Sequence, residues 1–256
     1  MRQLSLQSGH SERKLHRLID HILADTPPTS VLDSQAPRYL LFDGTFLHRP
    51  HSIVVLMDGQ TRRVIRGQFG VRESSEQELR VFFESMMEEG LYPRSLTVDG
   101  NRQVIRVVKM LWPDVLIQRC LVHIQRQGLS WCRSSPKTLY ARRLRQIFLR
   151  VTKITTAVDR DEFLSLVTTW EAQHGVEIAA RKEIGRVFSD IKRARSMLLY
   201  ALPDMFHYLD DPQIPTTTNG LEGYFSRLKS RYRQHRGLNS QRRANYFAWF
   251  FHFTPK

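Results

Sequence analysis

Two apolar runs in this chain each stop on an Asp-Gly pair: Tyr39-Leu40-Leu41-Phe42 meets Asp43-Gly44, and Leu96-Thr97-Val98 meets Asp99-Gly100. Short apolar runs bounded by turn residues are the mark of buried strands. The spacing around them predicts a strand to Asp43, then strands at His51–Met57 and Arg63–Phe69 joined by a turn at Asp58-Gly59. A helix follows at Glu76–Glu89, with Leu79, Phe82, Phe83, Met86 and Met87 inward at helical spacing. Leu96–Val98 reads as a strand, Gln103–Leu111 as a helix and Val115–Ile117 as another strand.

The order βββ-α-β-α-β starts a sheet with antiparallel hairpins and continues it with parallel units. That is the RNase H-like α/β arrangement, a mixed sheet flanked by helices. In it the first and fourth strands are neighbours, so Asp43 and Asp99 are expected to project from adjacent strand ends. The region 130–210 breaks the pattern and reads as a helical insertion, with Trp131 and Trp170 as packing anchors; Pro212 and Pro215 mark the return. The chain divides accordingly: 1–35 an N-terminal helical segment and linker, 36–129 the first part of the α/β domain, 130–211 the insertion, 212–256 its C-terminal part.

A third acid completes the set. Glu222 lies in Thr216-Thr217-Thr218-Asn219-Gly220-Leu221-Glu222-Gly223, where a polar stretch becomes a basic helix expected over Asn219–Tyr232. Leu221, Phe225, Leu228 and Tyr232 share one stripe of that helix, and Glu222, Ser226, Lys229 and Arg233 an adjacent polar one. Two aspartates and a glutamate supply the oxygen ligands that hard divalent cations take, and two such ions can stabilise both oxygens of an in-line displacement at phosphorus.

Each acid has a plainer reading. Asp-Gly after a strand is ordinary turn chemistry, as at Asp58-Gly59. Asn219 followed by Glu222 has the spacing of a capping box. The combination, in this order, favours metal binding.

The charge fits a polyanionic substrate. Lys and Arg outnumber Asp and Glu by 39 to 25, a formal net charge of +14. The hydrophobic fraction of 41% excludes a largely disordered chain. No apolar run approaches the roughly 20 residues of a spanning helix, so no membrane partner is expected. Two cysteines, Cys120 and Cys132, provide no disulfide framework and fit a reducing cytoplasm. Cys120-Leu121-Val122-His123 has the spacing of half a zinc site, but no second Cys/His pair lies nearby; a buried thiol bonded to a histidine is the expectation.

At the N-terminus, Gly9 separates two short helices. The second starts after Ser11 with Leu15, Leu18, Ile19, Ile22 and Leu23 on one face and Arg13, Lys14, His16 and Arg17 on the other, a helix-turn-helix-like pattern whose Arg13, Lys14 and Arg17 are candidate DNA contacts. Lys229, Arg231, Arg233, His235 and Arg236, directly after Glu222, are further candidates for a strand backbone. The aromatic run Tyr246–Phe251 is expected to pack on the sheet rather than stack on bases.

Phe42-Asp43-Gly44-Thr45, Val98-Asp99-Gly100, Gln118-Arg119-Cys120-Leu121-Val122-His123 and Thr217–Gly223 with His235-Arg236-Gly237-Leu238 resemble mutator-like DDE transposases of bacterial insertion sequences. The resemblance covers residues 38–256. It implies an RNase H-like catalytic domain, a helical insertion before the glutamate, dependence on Mg²⁺ with Mn²⁺ as a substitute, and movement of DNA between transposon ends and a target. By motif match Asp43, Asp99 and Glu222 become the catalytic, metal-binding triad, and Cys120 with His123 the family's C-x-x-H pair, in a structural role. Assembly as a homodimer or larger on DNA, in the bacterial cytoplasm and nucleoid, goes with it. Such relatives commonly carry a fuller N-terminal DNA-binding region, and nothing like it precedes Arg2. A shortened, non-catalytic DNA-binding relative and an RNase H-like nuclease are the competing expectations.

Overall fold

The computed structural model describes residues 2–28, 37–48, 51–180, 186–233 and 237–254. Two helices open the chain, α1 (Arg2–Ser8) and α2 (Glu12–Ile22). Then come β1 (Tyr39–His48), β2 (His51–Asp58), β3 (Val64–Val71), α3 (Glu76–Glu88), β4 (Ser95–Val98), α4 (Arg102–Leu111) and β5 (Leu116–Arg119). Helices follow: α5 (Leu121–Cys132), α6 (Leu139–Arg150), α7 (Ala157–Ala180), α8 (Arg186–Ala201), α9 (His207–Asp210), α10 (Asn219–Tyr232) and α11 (Ser240–His252). The five strands form one mixed sheet in the order β3-β2-β1-β4-β5. β1 to β3 pair antiparallel, while β4 and β5 continue the sheet parallel to β1.

Alternation along β1 assigns its two faces. Leu40 and Phe42 join Leu96, Val98, Phe82, Phe83 and Val108 in a core against α3 and α4. Leu41, with Ile53 and Val55 of β2, packs instead on Leu221, Phe225 and Leu228 of α10 and Phe247 of α11. A third core lies within the helices α5 to α9, where Phe148, Phe163 and Trp170 are buried. Trp170 donates its indole N–H to the carbonyl oxygen of Tyr140, and Trp131 packs on the same cluster, as anchors.

Several boundaries differ from the sequence expectation. β1 does not end at Asp43. Antiparallel pairing with β2 carries it on to His48, after its pairing with β4 has stopped at Leu41–Thr97. The boundary expected between 129 and 130 falls inside α5, whose Leu121 and Ile124 already belong to the helical core. At α10, Thr218 rather than Asn219 is the N-cap, with no side-chain capping bond, so the capping box at Asn219 and Glu222 does not form. In α2 the expected N-cap does: the Ser11 hydroxyl accepts from the backbone N–H of Lys14.

The first and last helical regions meet. Leu15 and Leu23 are buried, and the Asn245 amide of α11 donates to the carbonyls of Leu23 and Ala24. The Trp249 indole donates to those of Ile22 and Asp25. The aromatic tail packs on the sheet as expected, Phe247 stacked 5.0 Å from Phe69 of β3. Among the described residues no helix is long and apolar enough to cross a membrane.

Candidate active site

The β1–β4 register pairs Tyr39 with Ser95, Leu40 with Leu96 and Leu41 with Thr97. Carried forward two more residues, it sets Asp43 opposite Asp99. β4 and β5 pair Thr97 with Gln118 and Val98 with Arg119, so the same extension sets Asp99 opposite Cys120. By alternation Asp43 lies on the face of Leu41, the face that α10 covers. Asp43, Asp99 and Cys120 thus form one row across three neighbouring strands, just past the ends of β4 and β5 and midway along β1.

A single irregular segment brings α10 to that row. The Thr97 hydroxyl donates to the Pro215 carbonyl at 2.6 Å, and the Leu121 N–H to the Thr216 carbonyl at 3.0 Å. The Thr218 N–H then points at Cys120 Sγ, 3.3 Å away. Upstream, Asp211 accepts from the Tyr39 hydroxyl and Arg94, which fixes the start of the segment to the sheet. Glu222 follows one turn into the helix.

Asp43 accepts from the Gly44 N–H at 2.8 Å through Oδ1 and from the Thr218 hydroxyl at 3.5 Å through Oδ2. Burial, and then the charge of Asp99, raise its pKa to about 7, against the opposing pull of His123 and of the Gly44 N–H, with Glu73 adding to the rise. Asp99 is exposed and accepts from the Asn101 N–H at 2.9 Å. Glu73, just beyond β3, is a fourth carboxylate that nothing in the sequence marked. Burial raises its pKa, and Asp99 adds to the shift against a hydrogen bond from Ser52. A side chain at Gly44 would collide with the Glu73 carboxylate.

His123 joins the parts. Its Nδ1 lies 3.1 Å from Cys120 Sγ and 3.3 Å from the Thr218 hydroxyl, and its Nε2 lies 3.8 Å from Glu222 Oε1. The bond to Cys120 is the largest cause raising its pKa to about 9; burial opposes, and Cys120, Asp43 and Asp99 add their charges. His123 is therefore protonated at neutral pH, one positive charge among the acids. Burial pushes the Cys120 thiol up, but the bond to His123, its charge and the N–H of Thr218 outweigh that and leave it below the usual range. The pair is the buried thiol and bonded histidine expected from the sequence.

Glu222 is held by Arg126 of α5 in a two-pronged pair, Nη1 to Oε1 at 2.8 Å and Nη2 to Oε2 at 3.2 Å. That bond is the main cause lowering its pKa, against partial burial. Among the described residues no three His, Cys, Asp or Glu side chains are grouped to hold one ion as they stand. The chemistry of the donors nevertheless fits a hard cation: oxygen ligands only, with Asp43 carrying a repulsion that a cation would relieve.

The basic candidates separate. Lys229 and Arg233 line a cleft with Phe46, Tyr232 and Arg243, whereas Arg231 lies over the ring of Phe250, 6.0 Å away, off the strip that bears Glu222. Arg13, Lys14 and Arg17 are exposed on α2. His235 and Arg236 lie outside the described residues. Besides Glu73, the sequence reading missed Arg126 and the site role of Thr218. Arg126 sits three residues after His123 on the same helix, a spacing that could have shown it.

No curated protein matches the chain significantly. Residues 51–195, more than half of the chain, match the family model described as Transposase, Mutator family; they include Asp99, Cys120 and His123. The chain belongs to the Mutator family of transposases.

Proposed function

We propose that this chain is a DDE-type transposase with an RNase H-like catalytic domain, which cleaves and joins DNA strands through Asp43, Asp99 and Glu222. The observation that carries the reading is the β1–β4 register, which sets two aspartates opposite each other where the parallel pair opens. The strand order with a parallel half beside an antiparallel meander supports the fold assignment. A positively charged chain of a transposase family is suited to DNA as partner, both element ends and target.

Asp43, Asp99 and Glu222 would hold Mg²⁺, or Mn²⁺ in its place. When bound, divalent cations there supply charge stabilisation to the attacking and leaving oxygens of a phosphodiester. The chain's own groups do the rest. Thr218 orients Asp43, and Cys120 orients the His123 imidazolium so that its second N–H faces Glu222. Arg126 holds Glu222 ionised.

The test pairs two variants, Asp99→Ala and Glu222→Gln. Each is expected to bind a DNA duplex with near-wild-type affinity, because affinity comes mainly from Lys and Arg contacts to phosphate. Each is expected to lose Mg²⁺-dependent nicking of DNA carrying the element's end, at least ~100-fold for removal of a charge that stabilises the transition state. The amide is nearly isosteric, and the exposed pair with Arg126 is worth at most about 1 kcal/mol, so Glu222→Gln should keep its melting temperature. Normal nicking by either folded variant moves the catalytic carboxylate elsewhere.

A further inference from the structure

Beside Asp99 opens a cleft of about 760 Å³, lined in part by Asn101, Arg102, Arg119, Arg126 and Gln127. Arg119 is its anomaly. It is only 2% exposed, and of its guanidinium nitrogens Nη2 donates to the Asp99 carbonyl oxygen at 3.2 Å, while Nε and Nη1 are buried with no hydrogen-bond partner. Burying a guanidinium is costly unless its donors are paired, and unpartnered buried donors are rare enough to require a cause. The surroundings keep the group in place rather than satisfy it. The Tyr200 ring lies 5.5 Å from Arg119 and 4.7 Å from Arg102. Gly100, at φ +108°, runs directly against the guanidinium, where any side chain would collide with it.

Three arginines thus converge on one cleft, one of them short of acceptors. Arg126 reaches the same cleft while it holds Glu222. Glu73 and Asp99 share the lining, so an anion would seat against the arginines rather than fill the space evenly. Forked donors of this kind match the oxygens of a phosphate.

We propose that this cleft is a phosphate subsite, in which Arg102, Arg119 and Arg126 hold a backbone phosphate of the DNA strand next to the one that lies over Asp43 and Asp99. The assignment rests on the reading of those two aspartates as the centre of strand chemistry. A contact of this type carries no sequence information; it fixes the register of the strand over the acids. It also gives Arg126 a second acceptor in competition with Glu222.

The test measures binding without cleavage, so it stands apart from the nicking assay. A short labelled single strand is titrated in EDTA by fluorescence anisotropy, together with strands that carry one neutral methylphosphonate at successive positions. In the wild-type protein, neutralising one or two adjacent positions is expected to weaken binding roughly tenfold, as for a lost charged hydrogen bond. Arg102→Ala and Arg119→Lys should weaken binding of the unmodified strand by a similar factor and become indifferent to those positions. Arg142→Ala, an exposed arginine on α6, controls for simple loss of charge and should keep the positional pattern. Arg102 is exposed, so its variant remains informative if Arg119→Lys does not fold by circular dichroism. The proposal is overturned if folded Arg102→Ala keeps the wild-type positional pattern. It is equally overturned if inorganic phosphate stabilises the wild-type protein but not Arg119→Lys while no strand position is sensitive, which would make the cleft a site for the free anion.

Discussion

Asp43 carries the clearest electrostatic strain in the molecule, and the strain has a sign. Its folded pKa of about 7 lies above the ordinary 3.8, so the folded state binds a proton that the unfolded state has already lost. Below about pH 4 both states are protonated and the group costs nothing. Between pH 4 and 7 the cost grows, and above 7 it is fully present. Asp43→Asn is therefore expected to stabilise the metal-free protein at pH 8 by on the order of 2 kcal/mol, with the gain shrinking toward pH 4. Melting temperatures of both proteins at pH 4.5, 6 and 8 in EDTA check this; a gap independent of pH would mean that the carboxylate is not strained. Asp43 and Asp99 were legible in the sequence because each follows a buried run by one residue, and alternation does the rest. Glu73 was not, since it follows β3 in a polar stretch that resembles any loop. Arg126 was not singled out either: its partner lies 96 residues away, and only its place three residues after His123 hints at the site.

At the scale of elements, α5 connects the sheet to the helical core while bearing both His123 and Arg126. It begins at Cys120, in the row of acids, and buries Leu121 and Ile124 among the helices. Its close approach to α6 depends on Gly128, where a methyl group would collide with the buried ring of Phe148. Gly128→Ala is expected to cost roughly 1–3 kcal/mol by overpacking. Because the ring cannot yield without moving α5, the bond of Arg126 to Glu222 should loosen as well. Denaturant melts measure the first effect. The second would appear as a Glu222 carboxyl resonance, followed by carbon NMR, that titrates closer to its ordinary range; wild-type stability would show that the helices absorb the methyl group. Element order and type from β1 to β5 were readable from the switch between the two periodicities, whereas no helix was read over α5. The length of β1 was not, for Gly44-Thr45 resembles a turn and only pairing with β2 keeps it extended. The helix Asn219–Tyr232 has the bounds expected, but its cap is Thr218 rather than Asn219, because Thr and Asn are both good caps and Thr218 is held by contacts with Cys120.

On the scale of the whole molecule, the apolar clusters divide the work: one behind the sheet, one in the helices, and one in front of it that is completed only by α10 and α11. The N-terminal pair of helices is attached to this last layer. Asn245 is 1% exposed and supplies two carbonyls of the α2 terminus with donors. Asn245→Ala leaves those carbonyls without that partner, a local cost of about 1–3 kcal/mol. Trypsin is then expected to cut at Arg13, Lys14 and Arg17 several times faster, with the rest of the chain as resistant as before. Mass spectrometry of timed digests checks it, and an unchanged rate would mean that Leu15, Leu23 and Trp249 suffice. The attachment has a consequence for the order in which the protein is made. A ribosome releases α2 long before α11, and domains begin to fold as they emerge. α2 must therefore wait until the chain has grown by the 222 residues that separate Leu23 from Asn245 before the amide that caps it exists, with the basic side chains of Arg13, Lys14 and Arg17 already outside. This layer closes when α11 reaches back to α2.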